Sequence, residues 1–470
     1  MRRRAHGGIT TTLMIFRIAV AAMILVTSLW ACSGVPPHRP DLILITVDTL
    51  RADRLGLAGY PRGTTPHIDA FFADGAIYER SYSTSAHTSP SVVSLLTGLQ
   101  PRGHGVRLLY QLVGQDIPLV PDLLPPDYQT AAFVSNTVLT DEALGIASRF
   151  GHYDDFVDER EPARLIFERG ASRTTDAVLD WIRTKAKPAR PLFLWVHYID
   201  PHGPYAPPEA WRDRFRRDEQ RPIDPDRVPN SQREPGVTDG FEYAARYDAE
   251  IGYLDEQVGR LLAGLAEQRG AEDALVLLTA DHGESMMEHD AWFTHGYHVY
   301  EEIVRVPLML RGPGVERGVH DVPVSGVDIT PTLLLAAGVS PPPGTSGVDL
   351  RLPGKIPEDR IILASGGGRK QHWMAAIRDH DKAMILVDPT GNVRASRRYD
   401  LAKDPLELEA LPVESNDRLV RQLRELAASD PDPGGLPREF SGGSALPGPK
   451  VAPRISAEAA ERLRALGYMD

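Results

Sequence analysis

The chain has 470 residues, 42% of them hydrophobic and 25% charged, a formal net charge of −12, 41 Gly, 40 Pro and a single Cys. At roughly 100–200 residues per domain this is one large or two to three ordinary domains, with enough chain for a sizeable core. The acidic balance argues against nucleic acid as a partner, and one Cys allows neither an internal disulfide nor a thiolate zinc cluster, so any metal site must use His and carboxylates.

Arg2, Arg3, Arg4 and Arg17 make a basic start, and residues 18–29 follow as a twelve-residue, mostly apolar stretch. That is signal-peptide length and short of the ~20 residues a membrane-spanning helix needs. It ends in Leu29-Trp30-Ala31-Cys32, which resembles the bacterial lipobox, where the Cys becomes the acylated first residue. Residues 1–31 therefore read as a lipoprotein-type signal peptide, Cys32 as the lipid attachment and residues 32–40 as a tether. The remainder is expected outside the cytoplasm, in a bacterial cell envelope, anchored on the periplasmic or outer side. Removing residues 1–31 takes away four Arg and no acid, which makes the mature chain more acidic.

From residue 41 short apolar runs alternate with helical patterns, the pattern of an α/β fold with a mostly parallel sheet sandwiched by helices. Residues 42–47, 130–135, 192–197 and 274–280 read as strands buried on both faces. Residues 174–185 and 244–267 read as helices, and 207–236 as a polar excursion. A main domain over 41–345 ends near Pro341-Pro342-Pro343-Gly344. A smaller unit over 349–426 is expected to be a small antiparallel sheet with a helix, its strands at 361–364, 373–378 and 382–387 and a hairpin turn at 388–391. Residues 430–448 read as a Pro/Gly-rich linker and 456–466 as a terminal helix opened by Ser456.

Ligands of open parallel sheets collect at the carboxyl ends of strands. Asp48 follows the first strand, His197 closes another with Asp200 and His202 just beyond, and Asp281-His282-Gly283-Glu284 follows the fourth. Metal-competent groups thus converge on one edge. In His87-Thr88-Ser89-Pro90, Ser89 suits an N-cap, Pro90 the first helical position and Gly98 the C-terminal stop, so a helix is expected to begin right after Thr88. A helix start attracts anions, and a hydroxyl there could attack a bound ester if a metal lowered its pKa; equally, Thr88 could serve as a turn or capping residue.

Leu44 to Asp53, Thr88 to Gly98, His197 to Tyr205 and Asp281-His282-Gly283-Glu284 together resemble the sulfatase branch of the alkaline phosphatase superfamily. So do Glu288-His289, His295-Gly296, Tyr300-Glu301-Glu302, Arg305-Val306-Pro307-Leu308, Tyr399-Asp400-Leu401 with Asp404-Pro405, and the final Leu463 to Tyr468. The resemblance implies a divalent ion (Ca, Mg, Mn or Zn) held by Asp48, Asp281 and His282, with the nucleophile Thr88 as a further ligand. It implies His202 and His295 near the leaving and non-bridging oxygens, with His197 a further catalytic candidate. His87 is expected in a supporting role. His104 is expected to support as well and, with Asn136, is a candidate for the substrate side of the site.

The chain departs from the family where chemistry is most constrained. Sulfatases of this kind place Cys or Ser where this chain has Thr88, because oxidation to formylglycine gives an aldehyde; the same oxidation of Thr would give a ketone. The Arg expected four residues later is Val92, the Lys/His pair after the second core strand is replaced by Phe133-Val134-Ser135-Asn136-Thr137, and the second acid of the N-terminal pair is Thr49. The quartet Asp48, Thr88, Asp281 and His282 resembles instead the superfamily's phosphoethanolamine and glycerol-phosphate transferases. Two expectations follow. One is a metal-dependent hydrolase or transferase of phosphate or sulfate esters, small-molecule or glycan, acting through Thr88. The other is a catalytically degenerate relative that binds anionic envelope glycans.

Overall fold

The computed structural model describes residues 39–160, 167–270, 273–368 and 371–430. The signal peptide, Cys32, residues 32–38 of the tether, and the 431–470 linker and terminal helix lie outside the described residues. None of the described helices is long and apolar enough to cross a membrane.

An eight-stranded sheet organises the chain. In chain order its strands are β1 (Leu42–Val47), β2 (Ala76–Tyr78), β3 (Gln129–Val134), β4 (His152–Asp154), β5 (Leu192–Tyr198), β6 (Leu275–Ala280), β7 (Leu308–Arg311) and β8 (Gly318–His320). They lie side by side in the order β8-β2-β7-β6-β1-β5-β3-β4. β1 pairs in parallel with both β5 and β6, and β3 in parallel with β5 and β4; only β7 runs against its neighbours. The four expected strands are present with boundaries moved by one residue or less. β7 was not expected: four residues beside a proline carry too little periodicity to declare themselves.

β1 shows why the central strands read as unbroken apolar runs. Leu42 and Leu44 belong to one core layer with Val92, Val93, Leu95 and Leu96 of helix α2 (Thr88–Thr97). Ile43, Ile45 and Val47 belong to the opposite layer, with Ile68 and Phe72 of α1 (Pro66–Phe72), Val178 and Ile182 of α3 (Ala171–Thr184) and Leu254, Val258 and Leu261 of α4 (Gly240–Arg269). Both faces are covered, so alternation has nothing to distinguish. α4 begins four residues before the expected start because the Asp239 carboxylate accepts from the Phe241 amide at 2.8 Å and caps it.

The smaller unit is a four-stranded antiparallel sheet, β9 (Ile362–Gly368), β10 (Gln371–Arg378), β11 (Asp381–Val387) and β12 (Val393–Asp400), with helix α6 (Arg418–Ala428) packed on one face; α5 (Ile329–Ala336) belongs to the main layer. The turn at Asp388 is as expected, closed by Gly391 N–H to the Asp388 carbonyl at 2.9 Å. β12 is an addition: Val-Arg-Ala-Ser-Arg-Arg-Tyr-Asp is largely half-exposed and has no apolar run. β9 is laced to the segment before Thr88, with Ala86 N–H to Ser365 O at 2.8 Å and Ser365 N–H to Thr84 O at 3.0 Å. A Cβ on Gly366 would stand 2.7 Å from that of Ala86, so the contact requires glycine.

Candidate active site

Strand register brings the acidic and imidazole groups together. Val47 of β1 is level with Tyr198 of β5 and Ala280 of β6, so Asp48 and Asp281 emerge beside each other at the carboxyl edge, with His282 next along. All three are completely buried, and their ligating atoms lie within 4.8 Å of one another. His282 Nε2 is 3.5 Å from Asp281 Oδ2 and 3.9 Å from Asp48 Oδ1. Burial and the neighbouring Asp48 push the Asp281 carboxyl above its ordinary value.

Thr88 enters from α2. Its Oγ1 is 3.2 Å from His282 Nε2. The helix includes Thr88 as its first residue, so the expected cap is corrected: Ser89 lies inside the first turn, and its hydroxyl donates to the Val138 carbonyl at 3.1 Å. Gly98 closes the helix at φ +70°, the left-handed stop anticipated for it. Ser91 Oγ, one turn on from Thr88, donates to the Asp281 carbonyl at 2.6 Å and ties the helix start to the β6 loop.

The imidazoles differ in their surroundings. His282 Nδ1 lies 3.0 Å from the Gly283 carbonyl, which holds the proton on Nδ1 and directs the Nε2 lone pair toward the carboxylates and Thr88. His295 Nδ1 is 3.2 Å from Oε1 of the fully buried Glu284, and its ring lies 4.4 Å from that of His282 and 5.0 Å from that of His202. His197 is fully buried, with Nδ1 2.8 Å from Thr46 Oγ1 and Nε2 3.4 Å from Asp48 Oδ2; burial lowers its pKa to about 4 and keeps it neutral. Asn136 donates from Nδ2 to Asp48 Oδ2 at 2.5 Å, so the residue standing in for the family's basic pair contacts a carboxylate of the cluster. His87 packs under Gly296 with Nε2 2.9 Å from the Gly367 carbonyl. His104 ends the short helix Pro101–His104 that follows α2, its Nε2 3.0 Å from Ser94 Oγ and its Nδ1 accepting from Val106 N–H at 3.1 Å, a position that secures the loop.

Three supporting groups escaped the sequence reading. Thr49 sits at φ +55° and donates its amide to Asp281 Oδ1 at 3.2 Å. The buried Arg51 spans Glu288 Oε1 and the Glu284 carbonyl, each at 2.9 Å, and so fixes the loop after β6. Tyr247 of α4 donates to the Thr49 carbonyl at 2.7 Å and accepts from Arg51 N–H at 3.0 Å. Their partners lie far along the chain, which spacing within a motif does not reveal.

The cluster fits a divalent cation. Asp281 Oδ2 is buried and accepts no hydrogen bond from a described residue, and the two carboxylates converge with the His282 imidazole to within 4.8 Å. Oxygen donors with one imidazole suit Mg, Ca, Mn or Zn.

A parallel sheet with such a cluster and a helix start at its carboxyl edge is the architecture of the alkaline-phosphatase-like class. The sequence profile of the Sulfatase family matches residues 40–339, and the chain belongs to that family. It is similar to choline-sulfatase of Rhizobium meliloti, at 31% identity over 245 residues, 47% of this chain and 46% of that protein, so this match spans about half of the relative's length. It is similar to an arylsulfatase of Clostridium perfringens at 25% identity, covering 79% of this chain and 90% of that one. Its fold matches the phosphonate monoester hydrolase of Agrobacterium radiobacter with a TM-score of 0.67 at 20% identity, over 84% of this chain and 97% of that one.

Proposed function

We propose that the protein is a sulfatase-family hydrolase of sulfate or phosphorus esters in which Thr88 supplies the nucleophilic oxygen. The observation that carries this reading is the placement of Thr88 Oγ1 3.2 Å from His282 Nε2, in the first turn of a helix and beside the buried Asp48–Asp281–His282 cluster. Asp48, Asp281 and His282 would hold the divalent cation, with the Thr88 oxygen able to join them. Such an ion, when bound, lowers the pKa of a hydroxyl and offsets charge growing on the ester oxygens.

The chain's own groups divide the remaining work. The start of α2 turns the positive end of its dipole toward a bound anion. Asn136 fixes the Asp48 carboxylate, and Gly283 fixes the His282 tautomer. Thr88 Oγ1 passes its proton to solvent and attacks sulfur or phosphorus; the bond from that atom to the alcohol oxygen breaks, and the departing oxygen takes a proton from His202 or His295. Glu284 favours His295 for that step, because a buried carboxylate on Nδ1 stabilises the charged imidazolium that donates. Water, or an acceptor hydroxyl, then releases the group from Thr88. Formylglycine has no place here: Thr cannot give an aldehyde, and Val92, where the family carries Arg, is wholly buried in the apolar core.

The test is covalent trapping. Rapid denaturation during turnover of a nitrophenyl ester should leave a sulfuryl or phosphoryl group on the peptide containing Thr88, and Thr88→Ala should show none. Turnover that survives in Thr88→Ala overturns the reading, and binding of an anionic glycan without turnover would support a degenerate family member instead. The same proposal places the protein in the bacterial envelope through a lipid on Cys32, checked by fatty-acid labelling that Cys32→Ala abolishes.

A further inference from the structure

Two sequence motifs, Glu288-His289 and Tyr300-Glu301-Glu302, take no part in the proposed chemistry, and they meet at the tip of a hairpin. In it Ser285–Met286 pairs antiparallel with Trp292–Thr294, Ser285 standing opposite Thr294. That register sets Glu284 and His295 side by side at the base, where Glu284 Oε1 meets His295 Nδ1 at 3.2 Å. The tip has a costly backbone: Met287, His289 and Asp290 lie at φ +101°, +50° and +65°. Residues other than glycine keep that conformation only where their surroundings fix it.

His289 is the point of fixation. Its ring lies flat on Tyr300, with centroids 3.6 Å apart and planes 8° apart. Nδ1 is 2.8 Å from Glu302 Oε1, and Nε2 is 3.2 Å from the backbone carbonyl of Glu407. A carboxylate and a carbonyl can only accept, so both ring nitrogens must donate, and the doubly protonated imidazolium alone satisfies both partners. The surrounding charges agree. Burial lowers the His289 pKa, but Glu302 and Glu407 outweigh it and hold the ring above its ordinary value. Glu302 also faces His298, 3.8 Å away, which burial keeps neutral with a pKa of about 4. Behind Glu407 stands Lys382, shared with Glu301, and Arg397 lies over the Tyr300 ring. On the hairpin itself, Glu288 is paired with Arg51 and Asp290 with Arg227.

We propose that His289, as an imidazolium, is a positioning residue for the site: it pins the hairpin tip to Glu302 and to the Glu407 loop of the small unit, and so keeps the Glu284 and His295 pair in register at the base. The clamp is complete below the ordinary His value of about 6.5 and is lost as pH rises through the higher folded value, when one ring nitrogen turns a lone pair on its acceptor. The catalytic consequence rests on the reading of His295 as an acid in the Thr88 reaction; the clamp itself does not.

The test follows clamp and chemistry separately from about pH 6 to 9. Imidazole NMR of the full chain, assigned with His289→Gln, gives the His289 midpoint. Hydrogen exchange of the peptide spanning residues 284–296, corrected for intrinsic pH dependence, reports the hairpin. His289 should titrate above about 6.5, and hairpin protection should fall at least about tenfold across that midpoint. Glu302→Gln should move both midpoints down together, and His289→Gln should show low protection at every pH. Glu407→Gln removes a carboxyl that burial pushes up to about 7 but keeps the carbonyl, so the pH dependence should persist in it. A His289 midpoint at or below about 6.5, protection unchanged across it, or a pH dependence abolished by Glu407→Gln overturns the proposal. With a phenyl ester, wild-type kcat should fall across the same midpoint while KM holds, and a kcat that stays level while protection falls overturns the positioning role. Thr88→Ala should show the wild-type midpoints, so absent turnover with an intact clamp bears on the Thr88 reading alone.

Discussion

Two buried clusters of charge face different demands in this molecule. At the carboxyl edge of the main sheet, Asp48 and Asp281 share a site with the His282 imidazole, and burial together with mutual repulsion raises the Asp281 pKa. Where the small sheet meets the main domain, Lys382 of β11 is fully buried with its Nζ 3.0 Å from both Glu301 and Glu407. There the protein supplies its own cation. Burial and the Glu301 charge still push Glu407 up to about 7, but Lys382 works against them, and the Glu301 amide donates to Glu407 at 2.6 Å. A balanced cluster fastens one layer to another, whereas the donor set of the strand-end cluster, two carboxylates and an imidazole, suits a divalent cation.

That contrast sets the scale of the consequences. The largest effect is expected from Thr88→Ala, which should lower turnover by at least about a thousandfold while leaving bound metal unchanged, as checked by ester kinetics with metal analysis of the same sample. Asp281→Asn should abolish both metal content and turnover, and chelation should lower the thermal midpoint of the wild type while leaving Asp281→Asn unaffected, since only the wild type has a bound ion to lose. Glu284→Gln should slow turnover by about a hundredfold with metal retained, and steady-state kinetics against pH should show the change on the limb that reports the general acid.

At the balanced cluster the expectation reverses. Lys382→Met should leave metal content unchanged but destabilise folding by about 3–5 kcal/mol in denaturant titration, because two buried carboxylates lose their counter-charge. The smallest effect concerns His104. Burial lowers its pKa to about 3, so the unfolded chain binds its proton more readily and stability is lost as pH falls from the ordinary His value of about 6.5 toward 3. The slope below pH 6 should be up to about 1.4 kcal/mol per pH unit shallower in His104→Gln, measured by denaturation at several pH values.

Much of the main sheet was legible because its central strands are buried on both faces and read as unbroken apolar runs: β1 has the expected bounds to the residue. Asp48, Asp281, His282 and Thr88 were legible for a topological reason, since strand ends and a helix start are where a parallel sheet collects ligands. β12 was not, because Arg394 and Arg398 turn outward to Asp388, Asp381 and Asp417 instead of forming an apolar pattern. The Ser89 cap was misread because the local rule assumes the hydroxyl serves its own helix, and here it serves Val138. Glu284 under His295, the Arg51 brace and the Lys382 cluster depend on contacts across the fold, and no spacing rule reaches them.

The most direct measurement of the central claim is one panel of nitrophenyl sulfate, phosphate, phosphodiester and phosphonate esters, run on wild type and Thr88→Ala with metal content determined on the same preparations. The account predicts bound divalent metal in both proteins and ester turnover in the wild type alone. Equal turnover in the two proteins, or wild-type turnover in metal-free protein, would contradict it.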